Sequence, residues 1–465
     1  MRSPARSVLT TERRLVPGPA LRLGYRPVID GPGEPHENMT SVGEPIACIV
    51  HLTDLHVTDA QSPARFEFVN SKARDPRFRE LLTMQRPQEM LNTHAIAAMV
   101  RTINDLESGP ITGAAPRIAV MTGDAIDNTQ HNEMANFFAL LDGGTVHPDS
   151  GAPGYQGVQQ PGWPGDIYWR PDGRADGDDF QRALGFPSHP GLLDAAVRPF
   201  AAEGLKLPWL RCYGNHEQVC QGVGVVTPAL ARAMAGSRKA VEMPAGIDPD
   251  TAVESFAVAP ENFLTGASVE VSPDPDRRPI SRREFVDPSF YLHDAGEVRF
   301  IALDTVCDAG GADGSIDAGQ LGWLEAQIAG SQDRYVVILS HHGSDTLSNP
   351  RGGESRVAQL LELLSRSPNV ILWLNGHIHA NRIKPHRGFW EVTTSALVDW
   401  PCQARLVEIF RTVGGKLAIG CTMLDHDGEG LAGLHRELAA NVPGSGFDSW
   451  RAGEPNDRNA ILLLP

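Results

Sequence analysis

The sequence predicts an α/β protein built on a parallel sheet, because short apolar runs alternate along the chain with segments of helical period. The first apolar run spans 46–52 and precedes apolar residues at helical spacing over 90–106. A second run at 118–121 precedes another helical segment over 132–141. Five of the apolar runs end directly in residue types that bind metal ions in proteins. The pattern therefore predicts the fold class and also the edge of the sheet at which a site would form.

The C-terminal half of the chain continues the alternation. Further runs typical of strands occur at 207–213, 298–303, 335–339 and 370–374, with helical patterns at 317–329 and 354–365. Later strand-like stretches are predicted to be antiparallel, at 390–394, 404–410 and 417–423.

Local composition divides the chain into segments. Residues 1–44 are rich in Pro, Gly and Arg and are predicted to form an extended N-terminal arm. The main domain spans 45–425 and is interrupted by weakly patterned insertions at about 143–200 and 221–285. Residues 426–465 are rich in Gly and charge and are predicted to form a C-terminal tail.

Overall composition is that of an ordinary globular protein. The 465 residues are 41% hydrophobic and 21% charged, which excludes collagen-like, coiled-coil and wholly disordered chains. The formal net charge of -16 offers no general attraction to nucleic acid or to an anionic membrane. No signal peptide and no run of about 18 apolar residues is evident, so we expect a cytoplasmic protein without a membrane span.

The cysteines show no C-x-x-C spacing and no dense disulfide framework, so they are predicted to be reduced and structural. They are Cys48, Cys212, Cys220, Cys307, Cys402 and Cys421.

Asp54 and His56 follow the first apolar run. In extended backbone, residues two apart point to the same side, so this pair could hold one ion with an oxygen and a nitrogen ligand. Taken alone, such a tripeptide is more often an N-cap or a hydrogen-bonded loop.

The other four runs also end in polar groups. They are followed by Gly123-Asp124-Ala125-Ile126-Asp127-Asn128, by Gly214-Asn215-His216-Glu217, by His341-His342 and by Gly376-His377-Ile378-His379. Each group alone is compatible with a turn or with a structural hydrogen bond. Together they place an Asp or His group at the end of successive strands, on one edge of an open sheet. Coincidence explains that arrangement poorly, and we expect a metal site there.

The five groups, in this order, resemble the blocks of the calcineurin-like metallophosphoesterases, which are D-x-H, G-D-x-x-D, G-N-H-[DE], a histidine block and G-H-x-H. The resemblance covers roughly residues 45–425. The segment 54–65 and the arm ending at Pro35 are also similar to an uncharacterised, largely actinobacterial branch of that superfamily. The resemblance implies a four-layer αββα sandwich with two mixed β-sheets, and a metallophosphoesterase catalytic domain over 45–425.

The resemblance also implies two metal ions bridged by Asp124. The remaining ligands would be Asp54, His56 and His379 in one site and Asn215, His341 and His377 in the other. His341 is favoured over His342 because it lies immediately beyond its strand. Nitrogen and oxygen ligands without thiolate suit Mn, Fe or Zn, and two cations about 3.5 to 4 Å apart need a shared carboxylate to offset their repulsion.

In such a site the resemblance implies attack of a metal-bridging hydroxide on phosphorus, with His216 as the general acid. Asp127 is expected to hold the His216 imidazolium, although it is also compatible with capping its own turn. The expected activity is hydrolysis of a phosphoester on a small soluble substrate, with a phosphodiester favoured. A phosphomonoesterase and a non-catalytic metal-binding scaffold remain alternatives, and the oligomeric state is open.

Differences from the family blocks restrict the class of substrate that we expect. Phosphoprotein phosphatases have Arg where this chain has Asn128, which disfavours protein phosphatase activity. Segments within 291–324 are similar to members related to purple acid phosphatases and cyclic-nucleotide phosphodiesterases, but the metal-ligand tyrosine of the former is not evident.

Arg65 is expected to form a surface ion pair rather than to contact phosphate. The aromatic insertion containing Trp163, Tyr168 and Trp169 is compatible with a lid or with packing onto its own domain.

Overall fold

Two six-stranded mixed β-sheets organise the computed structural model, which describes residues 7–37, 42–173 and 176–464. The strands of these residues are, in chain order, β1 (Arg13–Pro17), β2 (Val28–Pro32), β3 (Val42–Leu52), β4 (Ile118–Met121), β5 (Gly144–Val146), β6 (Phe200–Ala202), β7 (Trp209–Arg211), β8 (Arg238–Ala240), β9 (Ser268–Glu270), β10 (Tyr291–Ala295), β11 (Val298–Ala302), β12 (Tyr335–Leu339), β13 (Val370–Asn375), β14 (Arg382–Pro385), β15 (Trp390–Thr393), β16 (Gln403–Thr412), β17 (Leu417–Asp425) and β18 (Ala460–Leu463).

The α-helices lie between or beyond these strands. They are α1 (Asn92–Asn104), α2 (His131–Asp142), α3 (Leu192–Ala196), α4 (Asn215–Gln218), α5 (Pro228–Met234), α6 (Ala252–Val258), α7 (Arg282–Phe285), α8 (Ala318–Ala329), α9 (Val357–Arg366), α10 (Leu431–Ala440) and α11 (Pro455–Arg458). The strands and helices predicted from periodicity are thereby confirmed, with bounds that shift by a few residues.

Parallel pairing joins the central strands of both sheets. The first sheet has the order β18-β17-β16-β3-β4-β7, in which β3, β4 and β7 are parallel. The second has the order β10-β11-β12-β13-β15-β14, in which β11, β12, β13 and β15 are parallel. The prediction that 390–394 is antiparallel is wrong for one neighbour. Because β14 turns back at the sheet edge, β15 pairs antiparallel with β14 but parallel with β13.

Three apolar cores separate four layers. Side chains such as Val120 and Leu339 fill the space between the two sheets. Helices α1, α2 and α10 cover the outer face of the first sheet, where Val100 and Phe137 are buried. Helices α8 and α9 cover the outer face of the second sheet, and Leu324 is completely buried there. The predicted four-layer αββα sandwich is confirmed.

Both terminal segments contribute regular elements. Within the predicted arm, β1 and β2 form an antiparallel hairpin, and the backbone N–H of Thr10 donates to the Met423 carbonyl at 3.1 Å. Residues 1–6 and 38–41 of that predicted segment lie outside the described residues. Within the predicted tail, α10 packs against α1, and β18 forms the edge of the first sheet.

The two insertions carry small apolar cores of their own. Trp163 and Tyr168 are buried together with Val271, and Trp169 is completely buried in a cluster with Phe186. Burial of all three aromatic rings favours packing over a lid made of these side chains. The six cysteines are free and buried, which confirms their predicted structural role. No helix among the described residues is both long enough and apolar enough to cross a bilayer.

Arg65 corrects one expectation, because its side chain is completely buried and not part of a surface ion pair. Phe66, the next residue, packs against Phe256 of α6 in the second insertion, with ring centroids 4.7 Å apart. Arg65 forms ion pairs with Asp127 and, at 2.8 Å, with Glu89. A fully buried charged side chain therefore lies beside the second block of the sequence motif.

Lys239 of β8 extends this buried network into the second insertion. Its Nζ lies 2.5 Å from Glu67 Oε1, both side chains are buried, and Glu67 in turn lies 3.7 Å from the Arg65 guanidinium. The charges alternate in sign, so each group depends on its neighbour for compensation.

Replacing Lys239 with Met is expected to lower the free energy of unfolding by about 3–5 kcal/mol, because removing one member of a buried ion pair leaves the other uncompensated. Urea unfolding followed by tryptophan fluorescence measures the change.

Lys206→Met is the matched control, since Lys206 is exposed, and its effect should stay within about 0.5 kcal/mol. The double variant Lys239→Met/Glu67→Gln should recover most of the loss. A Lys239→Met protein as stable as the wild type would show that the ion pair is dispensable.

Candidate metal centre

The seven side chains predicted as metal ligands converge at one end of the sandwich. They follow β3, β4, β12 and β13 or begin α4, and they are Asp54, His56, Asp124, Asn215, His341, His377 and His379. Ligand atoms of Asp54, His56 and His379 lie within 4.8 Å of one another, as do those of Asp54, Asp124 and His341. The carboxyl ends of the parallel strands thus bring the predicted ligands together at one end of the sandwich.

Sharp turns, rather than extended backbone, direct these side chains toward one another. Asp54 and His56 have φ angles of 52° and 46°, and Asp124, His377 and His379 have 52°, 70° and 53°. The expectation that Asp54 and His56 converge through extended geometry is wrong, because the chain leaves β3 in the left-handed region. Left-handed backbone is costly for residues with a Cβ and concentrates at functional sites.

Contacts between neighbouring loops support these turns. The backbone N–H of His56 donates to the Asp124 carbonyl at 3.0 Å, and the N–H of His377 donates to Asp54 Oδ2 at 3.1 Å. Gly376 allows the close approach, because a Cβ there would collide with Thr53 Oγ1 and Asp54 Oδ2. The loops therefore hold one another in place.

One half of the cluster contains two histidines whose orientation is fixed by carboxylates. The Nδ1 of His56 donates to Asp127 at 2.9 Å, and the Nδ1 of His379 donates to Asp399 at 2.7 Å. Their Nε2 atoms face each other at 3.2 Å, and His379 Nε2 lies 3.4 Å from Asp54 Oδ1. Because each Nδ1 donates to a carboxylate, both rings direct their Nε2 atoms into the same small volume.

The other half is arranged around Asp124. The Nδ1 of His341 donates to the Thr122 carbonyl at 2.8 Å, so its Nε2 faces Asp124 Oδ2 at 3.1 Å and His377 Nδ1 at 3.2 Å. Both ring nitrogens of His342 are engaged elsewhere, at 2.9 Å from Thr305 Oγ1 and from the Ala312 carbonyl. These contacts favour His341 over His342 as a ligand.

Asn215 provides a direct test of whether a cation fits. Its Nδ2 donates to the Gly222 carbonyl at 2.9 Å, which leaves its Oδ1 buried and without a hydrogen-bond partner among the described residues. An unpaired buried acceptor is costly unless something else binds it. Facing imidazole lone pairs, two carboxylates and a free amide oxygen form a donor set suited to divalent metal ions.

Opposed charges stabilise the ionised carboxylates. Burial works against ionisation of Asp54, but the imidazoles of His379 and His341 bring its pKa down to about 2. The pKa of Asp124 is likewise well below its usual range, against burial, because His341 and His216 face it. Burial alone would lower the pKa of His341, and Asp124 raises it to about 9. The cluster is therefore a set of carboxylates kept anionic by histidines.

His216 and Asp127 are arranged differently from the prediction. His216 Nδ1 donates to the main-chain carbonyl of Asp127 at 2.7 Å, whereas the Asp127 carboxylate lies 3.6 Å away. That carboxylate instead binds His56 and Arg65. The Arg65 charge holds the pKa of Asp127 well below its usual range despite burial. Burial lowers the pKa of His216 to about 4. Its Nε2 is the free nitrogen and lies 3.9 Å from Asp124 Oδ2.

Two supporting carboxylates were not predicted. Glu217 accepts hydrogen bonds from the backbone N–H groups of Gly214, Asp124 and Ile126, at 2.6, 3.0 and 3.1 Å, and so shapes the loop after β4. Its place in the third block was visible in the sequence, but its role was not. Asp399 follows β15 in no recognisable motif, and no sequence signal connects it with His379.

A cleft of about 170 Å³ opens onto this cluster. His216, Asn215 and His379 line it, together with the segment 80–86 and Arg451 from the C-terminal region. A small molecule entering the cleft therefore meets the candidate ligands directly.

No family model matches the sequence, and a search of curated proteins finds no match. Among solved structures, a dimetal phosphatase from Danio rerio is 12% identical, and the overlap covers 82% of this chain and 97% of that chain with a TM-score of 0.39. A putative 5'-nucleotidase from Staphylococcus aureus is 11% identical, with 82% and 54% covered and a TM-score of 0.33. GAP50, the anchor in the inner membrane complex of Plasmodium, is 10% identical, with 86% and 98% covered and a TM-score of 0.29. All three TM-scores are below 0.5.

The fold and the cluster define a two-sheet α/β sandwich with carboxylates, imidazoles and an amide gathered at the ends of its parallel strands. This is the combination that the sequence resemblance to the calcineurin-like metallophosphoesterases implies.

Asp399→Asn is expected to weaken Mn binding by about 10–100-fold, because the substitution removes the charge that orients the His379 ring. Competition with a fluorescent chelator measures the affinity without any substrate. Asp345→Asn is the control, since Asp345 forms an exposed ion pair with Arg382. Equal affinities for the wild type and Asp399→Asn would mean that His379 does not bind metal.

Proposed function

We propose that this chain is a dinuclear-metal-dependent phosphoester hydrolase acting on a small soluble substrate. The observation that carries the proposal is the convergence of nitrogen and oxygen lone pairs around Asp124, including the unpaired Oδ1 of Asn215, at the floor of an open cleft. A donor set of this kind offers room for two ions that share one carboxylate.

Asp124 is the proposed shared ligand. Asp54, His56 and His379 would complete one site, and Asn215, His341 and His377 the other. Mn, Fe and Zn all suit this mixture of imidazole and oxygen donors. When bound, a pair of such ions supplies Lewis acidity toward phosphoryl oxygens and activates water for attack on phosphorus.

His216 is the proposed general acid. Its Nδ1 proton is committed to the Asp127 carbonyl, so its Nε2 is the atom available to a substrate in the cleft. Burial favours the neutral ring, and the negative charge of a bound phosphate favours its protonation. Substrate binding would therefore supply the condition under which Nε2 can donate a proton to the leaving oxygen.

Asp127 supports the site in two ways. Its carbonyl fixes the His216 ring, and its carboxylate fixes His56 while being neutralised by the buried Arg65. A scaffold without catalysis has no need for a free imidazole nitrogen beside the candidate metal ligands, so the position of His216 favours an enzyme. A phosphodiester remains the favoured substrate on the sequence resemblance, with a phosphomonoester as the alternative.

Purified protein loaded with Mn is expected to hydrolyse bis-(p-nitrophenyl) phosphate with a higher kcat/KM than p-nitrophenyl phosphate. Asp124→Ala should reduce turnover by at least about a hundredfold, because it removes the shared carboxylate, and exhaustive chelation should have the same effect. Preference for the monoester would point to a phosphatase. Absence of turnover with both esters would favour the scaffold.

His216→Ala should lower kcat by about 10²–10⁴-fold for alkyl esters, whose leaving group needs a proton, and much less for nitrophenyl esters. Steady-state kinetics on a matched series of leaving groups measures the difference. His94→Ala is a control, because His94 stacks on Phe200 outside the cleft. Equal losses across the series would contradict the acid role.

A further inference from the structure

Two arginines line the cleft and have no part in the proposed metal binding. Arg86 lies just before α1, and Arg451 comes from the C-terminal region between α10 and α11. Apart from the candidate ligands, the only other charged residue among the described residues lining the cleft is Glu80, which is exposed. Two guanidinium groups therefore line the cleft near His379, in a chain whose net charge is -16.

Both arginines contact the same buried carboxylate. Arg86 Nε lies 3.0 Å from Asp399 Oδ1, and Arg451 Nη1 forms an ion pair with Asp399 Oδ2. Asp399 Oδ2 also accepts the Nδ1 proton of His379 at 2.7 Å. Only the Asp399 carboxylate separates the guanidinium groups from His379, a candidate metal ligand.

The two guanidinium groups are not saturated by this carboxylate. Arg86 uses only its Nε, and Arg451 only its Nη1, so the other side-chain N–H groups of both residues have no hydrogen-bond partner among the described residues. Their side chains are 11% and 22% exposed, which keeps them partly accessible from the cleft. Both guanidinium groups therefore keep N–H donors that a second anion could bind.

From this arrangement we infer that Arg86 and Arg451 form an anion subsite, which binds a second negatively charged group of the substrate, a carboxylate or a phosphate, close to the scissile phosphoester. Guanidinium groups offer paired donors that match two oxygens of either anion. The inference rests on the proposed function and narrows its substrate class. It also gives the C-terminal region a role in the cleft, because Arg451 comes from it.

The test compares esters that differ only in a second anion. For diesters these are ethyl p-nitrophenyl phosphate, carboxymethyl p-nitrophenyl phosphate and 2-phosphonoethyl p-nitrophenyl phosphate. For monoesters they are phenyl phosphate and 3-carboxyphenyl phosphate. The Mn-loaded wild type should have a lower KM for the esters that carry the second anion. Comparison of the carboxymethyl and phosphonoethyl diesters then identifies which anion is favoured.

Arg86→Gln and Arg451→Gln should each reduce that preference, measured as the ratio of kcat/KM values, by about tenfold to a hundredfold. Arg86→Lys should recover part of it, because a charge without the planar donors remains. Arg366→Gln removes an exposed arginine that pairs with Glu325 on the surface, and the preference should stay intact.

The outcomes separate this inference from the proposed function. Equal losses on esters with and without the second anion would overturn the subsite and leave the arginines as positioning residues for Asp399. A wild type that hydrolyses esters with and without the second anion equally well would overturn the subsite alone. Absence of hydrolysis for every ester would refute the proposed function, and the subsite would fall with it.

Discussion

Burying several ionised carboxylates at one end of a sandwich is the constraint on which the rest of this structure depends. Asp54 and Asp124 are compensated by the histidines that face them, whereas Asp127 and Asp399 need arginines. Those arginines come from outside the sheets. Arg65 lies in the irregular chain after β3 and Arg451 comes from the C-terminal region, so segments outside regular structure supply counter-charges for the central cluster.

The backbone conformation at this end of the sandwich also has a free-energy cost. Left-handed turns at Asp54, Asp124 and His379 are unfavourable for residues with a side chain, and each occurs directly after a strand. Hydrogen bonds between the loops after β3, β4 and β13 hold these turns, and the Glu217 carboxylate binds three backbone N–H groups around the second of them. Rigid sheet ends and mutually bonded loops therefore fix the ligand atoms before any ion binds, which is the preorganisation that metal sites require.

The features predictable from sequence are those encoded by neighbouring residues. Alternating apolar runs and helical spacing were enough for β3, β4, β12, β13 and their helices, and a polar group after each run located the cluster. Contacts between distant segments left no such signal. Arg65 was expected at the surface, but its partners Glu89 and Asp127 lie 24 and 62 residues further along the chain. Asp399 likewise meets His379 only through the folding of an irregular loop. The Asp54 and His56 pair was predicted for the wrong geometric reason, since extended backbone and a left-handed turn both bring the two side chains together.

The Asp399 side chain connects the two arginines of the proposed anion subsite with the candidate metal ligand His379. Its Oδ2 accepts the proton of His379 Nδ1 and pairs with Arg451, while its Oδ1 pairs with Arg86. An anion that binds both arginines competes with Asp399 for their charge, and the carboxylate is then left to interact more strongly with the imidazole. A stronger hydrogen bond at Nδ1 raises the basicity of Nε2, which is the atom directed at the candidate metal centre. If the proposed subsite and metal centre act together, Asp399 would couple the charge of the substrate to the strength of the His379 ligand without any movement of the sheets.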